Sequence, residues 1–344
     1  MASPVRFANL GFGHHAARRL VPAFQKSVHA VLTGIWRRNQ AAAAQDCRDH
    51  SIPHCFPTPD ALCASTDVDV VFITSPDAMH RNDTLLALKH GKAVLCEKPL
   101  AMDAPEAREM LSAADAAGLL FGVAQNFRYN RSLEWMREQI AAGRIGQPQL
   151  AHAQFSYPAN LAPRTWITDL HLACGGPIAD VGVHCIDSLR YVLGQNVLSH
   201  AVLSVSTVAS ALTPTAAPDP SGKRIESYAA LQLEMTSGVL ATVTVTAAAP
   251  YRSLVEVTGS EGVLISENGL TVDQPVDVVL RRGGQLIETR RFDNGDGYIR
   301  MIDSFAAAYR GTGIFLATAS DAVHNMRVLD AAYTSWRTGM RETL

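Results

Sequence analysis

Short apolar runs alternate with helical segments along the first third of the chain. The run VDVVFITS at 68–75 is almost continuously apolar, which is typical of a strand covered on both faces of a parallel sheet. The alternation predicts strands at 5–10, 29–36, near 55, 68–75, 93–96 and 119–124, and helices over 14–25, from 39, from 59, and over 81–90 and 104–117. Because repeated βα units of this length connect parallel strands by right-handed crossovers, residues 1–124 are predicted to form a doubly wound α/β domain.

The rest of the chain, residues 125–344, follows a different pattern. After a first strand near 150–156, strand-like runs separated by glycine turns dominate from 198 to 292. Helices are predicted over 131–142, 178–193, 298–309 and 320–338. This pattern indicates an α+β domain with a large, mostly antiparallel sheet.

The helices of this second domain are expected to leave part of one sheet face uncovered. An exposed apolar sheet of that size commonly meets another subunit, so we predict a homodimer or homotetramer formed through it. A monomer in light scattering would contradict this prediction. The segment 211–223 is rich in proline, alanine and serine and is predicted to be a mobile loop.

Composition and charge exclude several classes of protein. Of the 344 residues 47% are apolar and 18% charged, so the chain can bury a large core. The 30 Lys and Arg residues and 32 Asp and Glu residues give a net charge of −2, which does not indicate a nucleic-acid or membrane partner. No apolar stretch approaches the ~20 residues of a membrane span, and the N-terminus lacks a secretory signal pattern. The six cysteines show no CxxC pairing, so a reduced cytoplasmic protein without a metal site is predicted.

A glycine motif lies where the first strand meets the first helix. Gly11-Phe12-Gly13-His14-His15-Ala16 fits the pattern G-x-G-x-x-G/A. In such a motif Gly11 permits the tight turn, Gly13 lets the backbone approach a pyrophosphate, and Ala16 allows close helix–strand packing. A bare glycine turn is the alternative interpretation, but the position of the motif in a series of βα units favours dinucleotide binding.

The end of the second strand indicates which dinucleotide binds. An NAD site usually places Asp or Glu there to bind the ribose 2′-hydroxyl, whereas this chain has Trp36-Arg37-Arg38-Asn39 and no acidic residue before Asp46. A guanidinium fork would hold a 2′-phosphate that an acid would repel. NADP(H) is therefore the predicted coenzyme, with NAD(H) as the alternative. The two arginines could instead be part of a solvated loop.

Candidate catalytic groups occur in both parts of the chain. Lys98, in Glu97-Lys98-Pro99, follows the fifth strand at the carboxyl edge where doubly wound sheets bind ligands, and its charge could stabilise an alkoxide. Asp180, His184 and Asp187 are spaced i, i+4 and i+7, so they share one face of a helix. His184 is the predicted proton acceptor and Asp180 could orient it. Taken singly, each element also fits a surface lysine or a solvent-facing helix.

Together these motifs resemble the glucose–fructose oxidoreductase / inositol dehydrogenase / rhizopine-catabolism (Gfo/Idh/MocA) family. The resemblance rests on GFGHHA, TSPDAMH, GKAVLCEKPLA and the run from Gly175-Gly176-Pro177 through Asp180 and His184, and it covers nearly the whole chain. It implies a Rossmann domain, an open-faced α/β domain, and a cleft for coenzyme and a sugar-like substrate. The sequence departs from the family pattern at Pro177, where a third glycine is common, and at Asn130, where proline is usual.

The resemblance also implies roles for individual residues. Lys98 and His184 would carry catalysis, with Asp180 supporting the histidine or the substrate. The substrate-binding set is Lys98, Arg128, Trp166, Asp180 and His184. The coenzyme-binding set is Gly11, Phe12, Gly13, His14, His15, Trp36, Arg37, Arg38, Asn39, Thr74, Ser75, Pro76, His80, Glu97, Lys98 and Asn126.

The expected reaction is reversible hydride transfer between the nicotinamide and a secondary alcohol or ketone of a sugar, a polyol or a related small molecule. Two alternatives on the same fold are a nicotinamide-dependent glycosidase and a non-catalytic sensor of NAD(P). Net production of reduced coenzyme would distinguish the dehydrogenase from both.

Overall fold

The computed structural model describes residues 3–206 and 225–344, with side chains at all of them except 200–206. The loop predicted over 211–223 lies outside these residues. The chain divides into two compact units, one formed by Met1–Gln125 with Tyr298–Val323 and the other by Asn126–Gly297 with His324–Leu344. The sequence analysis assigned residues 298–323 to the second domain, whereas the structure groups them with the first unit.

The first unit contains a six-stranded parallel sheet, as predicted. The strand order is β3-β2-β1-β4-β5-β6. The strands are β1 Val5–Leu10, β2 Ala30–Trp36, β3 His54–Cys55, β4 Val70–Ile73, β5 Ala93–Cys96 and β6 Phe121–Val123. The helices are α1 Val21–Lys26, which continues a π-helical turn Ala16–Leu20, α2 Gln40–His50, α3 Pro59–Ala64, α4 His80–Lys89 and α5 Ala104–Ala117. Every residue of β4 and β5 is buried, as expected for parallel strands covered on both faces.

Aromatic packing explains why the later segment belongs to this unit. The ring of Phe305 packs 6.0 Å from that of Phe7 in β1 and 5.0 Å from that of Phe315. The backbone amide of Val123 in β6 donates to the carbonyl of Ala317 at 2.9 Å. The periodicity of the sequence predicted a helix over 298–309, but it carried no information about which sheet that helix would cover.

The second unit is built on a nine-stranded sheet in the order β14-β13-β12-β11-β7-β10-β9-β8-β15. Its strands are β7 Pro148–Pro158, β8 Val197–Ser206, β9 Tyr228–Met235, β10 Leu240–Thr246, β11 Ala248–Gly259, β12 Gly262–Glu267, β13 Val276–Arg282, β14 Gln285–Phe292 and β15 Glu342–Thr343. The remaining helices of the chain are α6 Arg131–Ala141, α7 Val183–Leu193, which continues a π-helical turn Ile178–Gly182, α8 Gly297–Tyr309 and α9 Ala319–Thr338. Among the described strands of this second sheet, β7 and β10 pair in parallel and all other neighbouring pairs are antiparallel. The prediction of a mostly antiparallel sheet is therefore confirmed.

Burial alternates along the central strands of this sheet. In β9 and β10 every second residue is buried, and the residues between them are half-buried or exposed. The partly exposed face of β10 carries Leu240, Thr242, Thr244 and Thr246, so this part of the open face mixes apolar and polar side chains.

Two further findings concern the residues that the structure describes. None of the helices that the structure describes is long and apolar enough to cross a membrane. In the same described part of the chain, no three His, Cys, Asp or Glu side chains are grouped so that they could hold a metal ion.

Candidate active site

The glycine motif forms the turn that a dinucleotide requires. Gly11 has φ +93°, and a Cβ there would lie 2.4 Å from the amide nitrogen of Ser75, so glycine is needed on both counts. A Cβ at Gly13 would have no neighbour closer than 3.9 Å, which leaves open space beside the backbone at the start of the helix. Ala16 is 1% exposed. The turn therefore has the shape and the free backbone approach that fit a pyrophosphate.

The end of β2 is joined directly to this turn. The carbonyl of Trp36 accepts hydrogen bonds from the amides of Gly11 at 3.0 Å and Phe12 at 2.9 Å. Arg37 Nη1 lies 2.6 Å from Asp46 Oδ2 in an ion pair, whereas the side chain of Arg38 is exposed. Asn39 caps α2 by accepting from the amide of Ala42 at 3.0 Å, which agrees with the helix predicted from residue 39. Asp46 thus engages one of the two arginines that were predicted to bind a 2′-phosphate.

Glu97 and His15 form a hydrogen bond that the sequence did not reveal. His15 Nε2 lies 2.9 Å from Glu97 Oε1, and the amide of Lys98 donates to Glu97 Oε2 at 3.2 Å. Burial alone would raise the pKa of Glu97, but His15 and the Lys98 contacts more than offset it, so its pKa lies below the ordinary value. Glu97 is therefore a carboxylate at neutral pH. It ties the glycine motif to the end of β5, where Lys98 stands half-buried.

The polar residues that follow β4 form hydrogen bonds with neighbouring groups of the protein. Thr74 Oγ1 donates to the carbonyl of Gly11 at 3.0 Å, and Ser75 Oγ donates to Asp83 Oδ2 at 2.6 Å. His80 is 1% exposed, with its ring nitrogens 2.9 Å from the carbonyls of Ser75 and Pro99. Both ring nitrogens of His80 already face backbone acceptors, so its place in the coenzyme-binding set gains no support from these contacts and stays a prediction.

Asn126 begins the second unit with an unused donor. Its side-chain Nδ2 is buried and has no hydrogen-bond partner in the structure. A buried amide without an acceptor is costly, so such a donor indicates a missing ligand or water. This observation fits the prediction that Asn126 contacts the coenzyme.

His184 occupies the first turn of α7 in an aromatic setting. It is 7% exposed, and its ring centroid lies 4.6 Å from that of Phe127 and 6.4 Å from that of Phe155. Aromatic neighbours restrict the orientation of an imidazole without adding charge. Lys98 belongs to the first unit and His184 to the second, and their convergence on one substrate stays a prediction.

Asp180 lies in the π-helical turn before α7, and two further residues hold it. Arg164 donates to its carboxylate from Nη1 at 3.1 Å and from Nη2 at 2.9 Å, and the Tyr157 hydroxyl donates to Oδ2. Burial first, and then the Asp180 charge, raise the pKa of Tyr157 above its ordinary value, so Tyr157 remains a protonated donor. Sequence reasoning missed both partners because they lie at the end of β7 and in the following loop, with no motif of their own. Trp166, in the same loop, is half-buried against Ala159 and Ile167.

Arg128 and Asp187 form a buried ion pair. Arg128 donates from Nε at 2.9 Å and from Nη2 at 2.7 Å to the two carboxylate oxygens, and the side chains are 7% and 3% exposed. Asn325 Nδ2 also donates to Asp187 at 2.9 Å, and Arg190 donates to Asn325 at 2.6 Å. This bidentate contact joins the segment before α6 to α7, and the prediction that Arg128 also binds substrate stays a prediction.

A carboxylate that the sequence analysis missed anchors the glycine pair before α7. Glu226, 0% exposed, accepts from the amides of Gly176 at 3.1 Å and Ile178 at 2.7 Å and from the Tyr333 hydroxyl at 3.2 Å. A Cβ at Gly175 would lie 1.9 Å from the same hydroxyl, which explains the glycine there. Proline has no backbone N–H, so Pro177 cannot donate a hydrogen bond here. Glu226 binds the amides on either side of Pro177, so a donor at residue 177 is not needed to hold this turn.

Comparison with known proteins agrees with this architecture. Residues 5–125 match the oxidoreductase family with an NAD-binding Rossmann fold, and residues 133–265 match the GFO/IDH/MocA C-terminal domain. The chain is 33% identical over 271 residues to a 1,5-anhydro-D-fructose reductase of Ensifer adhaerens, covering 78% of this chain and 77% of the relative. It is 26% identical over 335 residues to a D-xylose 1-dehydrogenase (NADP(+)) of Haloferax volcanii, covering 97% and 98% of the two chains.

Solved structures show the same fold. An aldose–aldose oxidoreductase from Caulobacter crescentus, complexed with glycerol, superposes with a TM-score of 0.88 at 21% identity, over 99% of this chain and 100% of that one. The two family matches together span more than half of the sequence. The chain belongs to the Gfo/Idh/MocA family of sugar and polyol oxidoreductases with an NAD(P)-binding Rossmann domain.

Proposed function

We propose that the protein transfers a hydride reversibly between NADP(H) and a secondary alcohol or ketone of a sugar, a polyol or a related small molecule. The observation that carries the proposal is the position of Lys98. It directly follows Glu97, whose carboxylate is held by His15 of the glycine motif, and its charge helps to lower the pKa of that carboxyl group. A cation there stabilises negative charge that develops on the oxygen of a reacting alcohol.

The protein's own groups would divide the chemistry between them. The bound nicotinamide supplies the hydride acceptor or donor. In the oxidative direction His184 takes the proton of the substrate hydroxyl, and Lys98 stabilises the oxygen as the carbonyl forms. Asp180, whose charge is fixed by Arg164 and Tyr157, supports the imidazolium or a substrate hydroxyl. Asn126 offers its open amide donor to the coenzyme. In the reductive direction the same groups return the proton.

The preference for NADP(H) rests on Arg38. Its side chain is exposed just after β2, while Asp46 already pairs with its neighbour Arg37. A carboxylate that would bind a ribose 2′-hydroxyl is absent between Trp36 and Gln45. The Haloferax relative named above carries NADP in its name, which supports the same choice.

Replacing Arg38 with alanine is expected to change the coenzyme preference. Loss of one charge-assisted contact to a 2′-phosphate, worth about 1.5–3 kcal/mol, should lower kcat/KM for NADP(H) by about 10- to 100-fold and leave that for NAD(H) nearly unchanged. Initial rates with the two coenzymes measure the effect. Arg48→Ala, at an exposed arginine on α2, is the control and should alter neither value. Equal losses with both coenzymes in Arg38→Ala would contradict the assignment.

The proposed activity is tested by a panel of sugars, polyols, keto-sugars and dihydrodiols, followed through the absorbance of the reduced nicotinamide with both coenzymes. At least one substrate is expected to give net, stoichiometric oxidation or reduction of NADP(H). Substrate cleavage with no net change in coenzyme would indicate the glycosidase. Coenzyme binding without turnover of any substrate would indicate the sensor.

We also propose that the chain forms a homodimer or homotetramer through the partly exposed face of the nine-stranded sheet. The half-buried threonines of β10 lie beside the exposed Tyr228 of β9 on this face, so a partner would meet a mixed polar and apolar surface. Light scattering of the full chain tests it.

A further inference from the structure

His80 has an unusual hydrogen-bonding arrangement within the first unit. It opens α4 and is 1% exposed. Its Nδ1 lies 2.9 Å from the carbonyl oxygen of Pro99, and its Nε2 lies 2.9 Å from the carbonyl oxygen of Ser75. Both of these partners are backbone carbonyls, and the two chain segments they belong to follow neighbouring strands, β4 and β5. The Cys96 side chain at the end of β5 is a further hydrogen-bonding neighbour of the ring.

The chemistry of the two carbonyl partners favours one protonation state of the ring. A carbonyl oxygen can only accept a hydrogen bond, and a neutral imidazole has only one N–H. In a neutral ring, therefore, one of the two contacts would bring two lone pairs together at 2.9 Å in a buried place. Only the imidazolium, with an N–H on each nitrogen, satisfies both carbonyls.

We infer that His80 is a buried imidazolium at neutral pH and acts as a positioning residue for Lys98, by tying Pro99 to Ser75. The functional half of this inference rests on the proposed hydride transfer, whereas the charge state does not. Ser75 is also the residue whose backbone abuts Gly11, and Pro99 directly follows Lys98. A single ring thus joins the glycine turn, the end of β4 and the segment that carries the candidate catalytic lysine.

The groups that surround the ring are consistent with a cation. Asp77 lies in the turn before α4, Asp83 lies on α4 itself, and Cys96 ends β5. Burial lowers the pKa of His80, but Cys96, Asp77 and the Ser75 carbonyl raise it by more, so that the net shift is upward. Burial raises the pKa of the Cys96 thiol, so we assign the stabilisation at neutral pH to the Asp77 carboxylate and the two carbonyls.

The charge state is tested by NMR of the full chain labelled with ¹⁵N at histidine. Both ring nitrogens of His80 are expected to remain protonated at about pH 8.5, roughly two units above the ordinary histidine pKa. His80→Gln identifies the signals by their disappearance. If that variant does not fold, neutron diffraction of the wild-type protein at the same pH shows the two protons directly. A single N–H on His80 at that pH would overturn the inference.

The positioning role is tested by kinetics of His80→Gln, which keeps one donor and removes the charge. We expect kcat to fall by about 10- to 100-fold, as for displacement of a catalytic group by about an ångström, with little change in KM for the coenzyme. The control is His90→Gln, at a histidine after α4 that bonds the surface residue Asp60; it should change neither constant. An unchanged kcat in a folded His80→Gln would overturn the positioning role. An inactive wild-type protein whose His80 carries two ring protons would instead refute the proposed function alone.

A stability measurement supplies a further readout of the same charge. Because the folded pKa of His80 lies above the unfolded value, its stabilising contribution is complete below about pH 6.5 and is lost as the pH rises through the folded value. Above about pH 6.5 the free energy of unfolding should therefore fall more steeply with rising pH in the wild-type protein than in His80→Gln. Identical pH profiles for the two proteins would count against the imidazolium.

Discussion

Replacement of Lys98 by alanine is expected to lower kcat by about 10³-fold, the loss typical of removing a group that stabilises a developing oxyanion or assists its protonation. The affinity for the coenzyme should remain nearly unchanged, because the glycine turn and the end of β2 provide most of the contacts proposed for it. Steady-state rates with the best substrate of the panel give kcat, and calorimetric titration gives the affinity for NADP(H).

The matched control for this change is Lys89→Ala, at an exposed lysine that ends α4. It removes the same charge from the same unit and should leave kcat unchanged. A second comparison uses His184→Ala, which should reduce kcat in the same range if both groups act on one substrate oxygen. Full turnover by Lys98→Ala would remove the lysine from the mechanism. A loss of coenzyme affinity as large as the loss of kcat would make Lys98 a binding residue instead.

Elements with local signals at both ends were predicted accurately from the sequence. The helix over 104–117 matches α5 exactly, because Asp103 caps its first turn by accepting from Glu106 and Gly118 ends it in the left-handed region. The strand at 93–96 matches β5, a fully buried run between polar residues. By contrast, the strand predicted at 68–75 narrows to Val70–Ile73, the residues that pair with β1, because the prediction also took in the flanking residues Val68-Asp69 and Thr74-Ser75.

The chemistry of the site was predicted less completely, because most of it depends on residues far apart in the chain. The i and i+7 spacing of Asp180 and Asp187 placed them on one helical face, yet the structure gives them different partners. Asp180 binds Arg164 and Tyr157, and Asp187 binds Arg128, which lies 59 residues earlier. Spacing identifies which side chains share a face, but it cannot show which distant side chain meets that face.

Backbone acceptors are a second class of partner that a sequence conceals. His80 looked like one more polar residue near a coenzyme, and its two acceptors are carbonyl groups, which every residue possesses. Glu226 was missed for the same reason, because two of the groups that donate hydrogen bonds to it are the main-chain amides of Gly176 and Ile178. Only the tertiary structure brings such main-chain groups to a particular side chain.

Asp187→Ala is expected to destabilise the second unit by about 3–5 kcal/mol, because it leaves the Arg128 guanidinium charged and buried without its carboxylate. The loss should appear in urea unfolding as a lower midpoint with an unchanged slope. The matched control is Asp277→Ala, which removes an exposed carboxylate 3.5 Å from Arg291 and should cost less than about 1 kcal/mol.

A double variant separates the cost of a stranded charge from the value of the pair. Arg128→Met combined with Asp187→Leu replaces both ions by apolar groups and should recover much of the stability lost in Asp187→Ala, since a buried ion pair gains little over a well-packed apolar pair. If the double variant is as unstable as Asp187→Ala, the pair itself, together with the Asn325 contact, holds α7 in place. If Asp187→Ala unfolds at the wild-type midpoint, Arg128 has found solvent, and the buried pair does not restrain the helix that carries His184.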